Sequence, residues 1–455
     1  MKVFVFLTLF FPLFISFAQP NFNANTEVPE FNSGFLYGVN PGYYSNKWPD
    51  TKLADIAKNL GANCLRPTLP EWFVKMHGYN IRINEFNHYK NIGMDHHTLF
   101  FDNYENSNRD RTKYDGCSVE SSSFQNLFTD IWDNGANGTP VNDNNHYALY
   151  VYNVVSRYKD YVKFWEVLNE PDFCLSADCE SNPGVAGNWW QNPPKPCDLK
   201  NLRAPIFHYI RMLRITYEIV KTLDPTDYVC VGGIGYKSFL DACLRYTDNP
   251  NGGAVTTQYP LKGGAYFDVV SYHAYPQYKL RRWSNQINGF AYNRNSDSAA
   301  DTVINYKTGF ESVLNKHGYN GTTYPQKLFI VTEYNIPRKT YSSTDHIGSP
   351  EAQRNAMAKT LIKSQISGIK QLCVYQLGDT KTNSTSAADG YDLMGLYEDL
   401  TTNNPGQEKI SSGGIGFKTT SMLLKGYEYD AAKTAALNLP SGVEGAAFKN
   451  SNSQY

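Results

Sequence analysis

The chain has 455 residues, long for one layered domain but ordinary for a single α/β barrel with insertions. Its 42 basic and 43 acidic residues leave a formal charge of −1, which argues against a nucleic-acid or polyanion binder. With 41% hydrophobic and 19% charged residues it can build a core and is not disordered, and its 15% aromatic content supplies rings for that core or for ligand faces.

The first segment reads as an address. Met1-Lys2 precedes an apolar run from Val3 to Phe17, and Ser16-Phe17-Ala18 fits cleavage after Ala18, so residues 1–18 are expected to be a signal peptide. The run is short for a membrane span, and no later stretch reaches that length. The expected mature protein is secreted or periplasmic, with no membrane association and no nucleic-acid partner. Residues 19–33 form an N-terminal extension.

After residue 30, β-rich runs alternate with amphipathic helical stretches. The strand candidates are GFLYGVNPG from Gly34, NCLRPTLP from Asn63, HHTLFF from His96 and VKFWEVLNEP from Val162. They continue with YVCVGGIG from Tyr228, FDVVSYHAYP from Phe267, KLFIVTEYNIP from Lys327 and IKQLCVYQLGD from Ile369. Several have continuous apolar cores, as parallel strands buried on both faces should. Helical patterns such as ALYVYNVVSRYKDY and FHYIRMLRITYEIVKTL separate them. Eight such units predict a (β/α)₈ TIM barrel over 34–427. No G-x-G-x-x-G follows the first strand, which removes support for a dinucleotide fold. Long polar insertions follow strands three, four, six and eight, all on the face where such barrels carry their sites. Residues 428–455 read as a short β-like tail, the possible opening of an accessory β domain.

Eight cysteines divide by context. Cys64, Cys230 and Cys373 lie in apolar strand-like runs and are expected to stay reduced, and Cys243, in a helical pattern, is expected to be free. Cys117, Cys174, Cys179 and Cys197 lie in polar loops, where an exported chain forms disulfides. Two bonds are expected, with three pairings open. Zinc is the alternative for Cys174 and Cys179, but it lacks a second pair.

Two strand ends carry the sharpest signals. Trp165-Glu166-Val167-Leu168-Asn169-Glu170-Pro171 ends strand four, and Phe329-Ile330-Val331-Thr332-Glu333-Tyr334 ends strand seven. Each delivers a carboxylate to the barrel mouth. A glutamate at a strand end is most often a solvated rim residue or an arginine's partner. Two carboxyls facing each other across a cleft are what glycosidic cleavage requires.

With these residues the sequence resembles the clan-A glycoside hydrolases, a group of retaining (β/α)₈ enzymes. Asn169-Glu170-Pro171 resembles the clan's Asn-Glu-Pro motif, which implies Glu170 as acid/base, and Glu333 matches the nucleophile three strands later. Arg66 resembles the clan's strand-two arginine, which implies a partner for the nucleophile; its ordinary alternative is a rim salt bridge. Tyr272-His273-Ala274-Tyr275 resembles a His-x-Tyr pattern, with His273 at the nucleophile or the sugar and Tyr275 donating to Glu333; a merely buried histidine is the alternative. Asn169 would hold the sugar's 2-hydroxyl. Many clan members end strand eight with a tryptophan floor, but this chain has Val374-Tyr375-Gln376, so Gln376 or Tyr375 takes that position. Trp72, Trp189, Trp190 and Trp283, in loops, are candidate sugar-stacking rings or anchors of small cores.

The resemblance implies a β-linked glycan as substrate, cleaved with retention by a monomer without metal or cofactor. A metal-dependent hydrolase has only His96-His97 as a cue, and adjacent strand residues face opposite ways. A non-catalytic glycan-binding barrel would need the aromatics but not both glutamates.

Overall fold

A computed structural model describes residues 27–455 other than 103, 175, 177–178, 180–186, 293–295, 341–346 and 382–388. The expected signal peptide therefore lies outside the described residues. The chain runs β1 (Leu36–Val39), α1 (Asp50–Asn59), β2 (Cys64–Leu65), α2 (Glu71–His77), α3 (Ile83–Asn91), β3 (His97–Phe101) and α4 (His146–Tyr158). Next come β4 (Val162–Val167), α5 (Ile206–Leu223), β5 (Tyr228–Cys230), α6 (Lys237–Arg245), β6 (Val269–Ala274) and α7 (Asp297–Lys316). The series ends with β7 (Leu328–Tyr334), α8 (Pro350–Ile366), β8 (Gln371–Val374) and α9 (Ser412–Leu424).

The eight strands form one parallel sheet in the order β2-β1-β8-β7-β6-β5-β4-β3. A parallel bridge between Thr68 and Phe100 joins its two edges, so the expected (β/α)₈ barrel is present. Strand alternation sorts the core. Leu36, Cys64, Phe164, Tyr228, Cys230, Val269 and Ile330 form an interior cluster, and Phe31 from the N-terminal segment packs against it. Their neighbours Tyr37, Leu65, Trp165, Val229, Val270 and Val331 face the helices. Gly38 is required by the tight interior, because a Cβ there would lie 2.3 Å from Cys373 Sγ.

The helices form where apolar residues recur at helical spacing. In α5, Ile206, Tyr209, Ile210, Leu213, Tyr217 and Val220 are all buried. Asn145 caps α4 by accepting the Ala148 N–H, and Ser349 caps α8 by accepting the Ala352 N–H, with Pro350 at the first helical position.

The insertions are built. The one after β6 contains an antiparallel pair, Arg281–Ser284 with Gly289–Tyr292, and the one after β8 pairs Tyr397–Glu398 with Lys409–Ile410. Disulfides Cys117–Cys197 and Cys174–Cys179 resolve the open pairing, the first tying the insertion after β3 to that after β4. Cys64, Cys230, Cys243 and Cys373 are free and buried. Beyond α9, Tyr427–Tyr429 pairs antiparallel with Phe448–Asn450, and Lys363 of α8 bonds Glu444 in the loop between them. Among the described residues no helix is long and apolar enough to cross a membrane.

Candidate active site

Two strands, β4 and β7, deliver the carboxylates to the mouth of the barrel. Along β4, Phe164 and Glu166 point inward while Trp165 and Val167 face the helices. Beyond the strand, Leu168 and Glu170 take φ of 64° and 48°, in the left-handed region that L residues rarely adopt. Such backbone is held only where its surroundings dictate it, here by a 2.6 Å hydrogen bond from the Glu170 N–H to the Gly232 carbonyl. The turn brings both Asn169 and Glu170 to the mouth. On β7, a register shift against β6 between Tyr272 and His273 breaks the strict alternation. Thr332 reaches inward to Glu166 (2.9 Å), Glu333 also reaches the mouth, and Tyr334 turns outward to Thr360 of α8.

Arg66, immediately after β2, is the hub. Its Nε donates to Glu166 (2.7 Å), one terminal nitrogen to Glu333 (2.8 Å) and Asn40 (3.2 Å), and the other to Asn169 (2.8 Å). Its guanidinium carbon lies 4.3 Å from the centroid of the Phe100 ring. Burial alone would favour loss of its proton, but Glu166 and Glu333 outweigh that and hold it more firmly protonated than usual.

His273 and Tyr275 come from the end of β6. His273 Nδ1 lies 2.7 Å from Glu170 Oε1 and 3.6 Å from Glu333 Oε2, and the Tyr275 hydroxyl donates to Glu333 Oε2. Burial opposes a charge on His273, yet the two carboxylates raise its pKa above the usual value. Burial and then Glu333 push the Tyr275 phenol well up, which keeps it a donor. Burial pushes the Glu170 pKa up, but the hydrogen bond and charge of His273, with Arg66, bring it below its ordinary range. Sequence placed the histidine nearby without showing that it bonds this glutamate.

Glu170 keeps 27% of its side chain exposed and Glu333 12%, so the first is the more open to water. One oxygen of each and a nitrogen of His273 lie within 4.8 Å of one another. Three such atoms could in principle ligate a cation. Here Arg66 and Tyr275 already occupy both Glu333 oxygens, and the buried guanidinium repels a second positive charge.

The structure thus brings Arg66, Asn169, Glu170, His273, Tyr275 and Glu333 together. The strand-eight position carries no tryptophan. Tyr375 and Tyr391 instead pack edge-on to Tyr275, at 5.9 and 5.0 Å between centroids. Gln376 is buried, and among the described residues its Nε2 has no hydrogen-bond partner. Trp72 and Trp283 are exposed, on α2 and on the hairpin after β6. Trp189 is not at the surface, because it is buried against Tyr236 and Phe239, and Trp190 is half-buried beside Lys316 of α7. Trp189 therefore offers no free face to a ligand and serves as a packing anchor.

Sequence reasoning missed Glu166, Asn40 and Tyr391. Glu166 was detectable. A carboxylate inside a strand buried on both faces must have a cationic partner, and Arg66 was the arginine already placed at the barrel mouth. Tyr391 lies in a single turn, Gly390–Leu393, of a long polar insertion, where nothing local marks it.

No family model matches the chain, and a search of curated proteins found no match. Among solved structures, the chain is similar to a glucosidase from Croceicoccus marinus at 12% identity and a TM-score of 0.46, over 86% of this chain and 70% of that one. It is also similar to fungal β-1,4-galactanases at 14% identity and a TM-score of 0.47, over 85% of this chain and 100% of that one. A third is an exo-β-1,4-mannosidase from Opitutaceae bacterium strain TAV5, at 10% identity and a TM-score of 0.46, over 89% of this chain and 62% of that one.

Proposed function

We propose that the protein is an exported glycoside hydrolase that cleaves β-linked glycans with retention, using Glu333 as nucleophile and Glu170 as acid/base. The observation that carries this reading is the close approach of the two carboxylates, one oxygen of each within 4.8 Å. Retaining enzymes hold their carboxyls roughly 5–5.5 Å apart and inverting ones about 6.5–9.5 Å, and a nearest-oxygen approach of at most 4.8 Å fits the shorter spacing without measuring it. The two disulfides fit an oxidising compartment.

Arg66 and Tyr275 each donate a hydrogen bond to Glu333, one to each oxygen, and so orient it to attack the anomeric carbon. Glu170 and His273 hold a proton between them across their hydrogen bond, and the two titrate as a pair. Glu170 delivers that proton to the leaving oxygen, then takes one from the water that hydrolyses the glycosyl–enzyme ester. Asn169, oriented by Arg66, offers its amide N–H group to a hydroxyl of the sugar beside the scissile bond.

The test is the pair of alanine variants. Glu170→Ala should slow poor leaving groups by about 10²–10⁴-fold while largely sparing activated aryl glycosides. Glu333→Ala should abolish turnover of both. Azide should rescue the first as a β-glycosyl azide and the second as an α-glycosyl azide. An initial product of inverted configuration from the wild type would overturn the assignment.

A further inference from the structure

Asp172, two residues after Glu170, has no part in the chemistry above, yet it is 2% exposed and carries specific bonds. Its Oδ2 accepts the N–H groups of Gly235 and Tyr236, each at 2.8 Å. These residues end a turn that starts at Gly232, whose carbonyl takes the Glu170 N–H. The middle of the turn lies against His273. A Cβ on Gly233, which has φ of 65°, would sit 2.2 Å from His273 Nε2, and the His273 N–H donates to the Ile234 carbonyl. Contacts therefore run in a ring: from Glu170 to the turn, from the turn to the imidazole, and from His273 Nδ1 back to Glu170.

We propose that Asp172 is a positioning residue that, by clamping the Gly232–Tyr236 turn, fixes the His273 ring against Glu170 and so governs proton delivery. This rests on the reading of Glu170 as the acid/base. The titratable groups facing Asp172 are Glu170 beside it, His273 on β6, Tyr209 on α5 and Cys243 on α6. Burial raises the Asp172 pKa to about 7 against the pull of its two N–H donors. Above that pH the carboxylate grips the turn with charge-assisted bonds, and its negative charge favours the proton on the Glu170–His273 pair.

Three variants test this, each assayed for kcat and KM on a poor and an activated aryl leaving group across pH. Asp172→Ala should lower kcat on the poor leaving group about tenfold or more, change the activated substrate by less than about threefold and leave KM in place. Asp172→Asn, whose amide oxygen still accepts both N–H groups, should recover most of that loss but no longer show the ionisation near neutral pH. Gly233→Ala, which pushes the imidazole off Glu170, should reproduce the selective loss. Equal losses on both substrates in Asp172→Ala and Gly233→Ala would overturn the proposal, as would an Asn variant with the wild-type pH profile; the Asn and Gly233 variants carry the test should Asp172→Ala not fold. If Glu170→Ala is itself unselective between leaving groups, the acid/base reading fails. If Glu170→Ala is selective and Asp172→Ala is not, only the role of Asp172 fails.

Discussion

At the bottom of the barrel, Leu36, Cys64, Phe164, Tyr228, Val269 and Ile330 fill the interior with apolar side chains. Two to four residues further along the same strands or just past their ends, the interior carries Asn40, Arg66, Glu166, His273 and Glu333. The bottom gains stability from area removed from water. The mouth buries several charges, which is unfavourable unless each is paired and hydrogen-bonded. One guanidinium answers two carboxylates and two amides there, so the mouth depends on a single side chain as the bottom does not.

The sharpest way to break that comparison is Arg66→Met. It leaves Glu166 and Glu333 buried without a cation, and breaking such pairs costs about 3–5 kcal/mol. Chemical denaturation should show that loss, and turnover per folded molecule should fall about a thousandfold. A variant as stable as the wild type would mean that the carboxylates take up protons at no great cost.

Phe164→Ala probes the other end. Emptying the interior should destabilise by about 3–5 kcal/mol. Activity per folded molecule should stay within about twofold, because the vacated volume lies beneath Glu166 rather than at the reacting atoms. A large drop in kcat at unchanged KM would show that the two ends are mechanically coupled.

Tyr275→Phe removes one donor to Glu333 and leaves the ring packed against Tyr375 and Tyr391. It should lower kcat about ten- to a hundredfold with a change in melting temperature of only a few degrees. Steady-state kinetics and a thermal melt decide it.

The smallest effect is the pH dependence of stability. Glu170 is held below its ordinary 4.5, so it contributes stability above that value and loses it as pH falls through its lowered pKa. His273 is held above its ordinary 6.5, so its contribution is complete below that value and is lost as pH rises through the raised one. The stability gap between wild type and His273→Ala should therefore be widest between about pH 4.5 and 6.5 and narrow on both sides. Urea denaturation of the two proteins at several pH values measures the gap, and a flat gap would show that the contact carries no charge.

The strand runs, the helices between them and the two strand-end glutamates were legible in the sequence, because periodicity of two or 3.6 is a local property. The separation of loop from strand cysteines was legible for the same reason. The pairing of Cys117 with Cys197 was not, since it joins residues 80 apart through the docking of two insertions. Tertiary structure alone turned Trp189 into a packing anchor against Tyr236 and Phe239 and brought Tyr391 beside Tyr275. It also decided the protonation balance of the mouth. Glu170 sits below its ordinary pKa because His273 arrives from β6, 103 residues away along the chain, and burial on its own would have moved it the other way. Residue type says which groups can carry charge, but the charges a group meets depend on through-space distances that only the closed barrel sets.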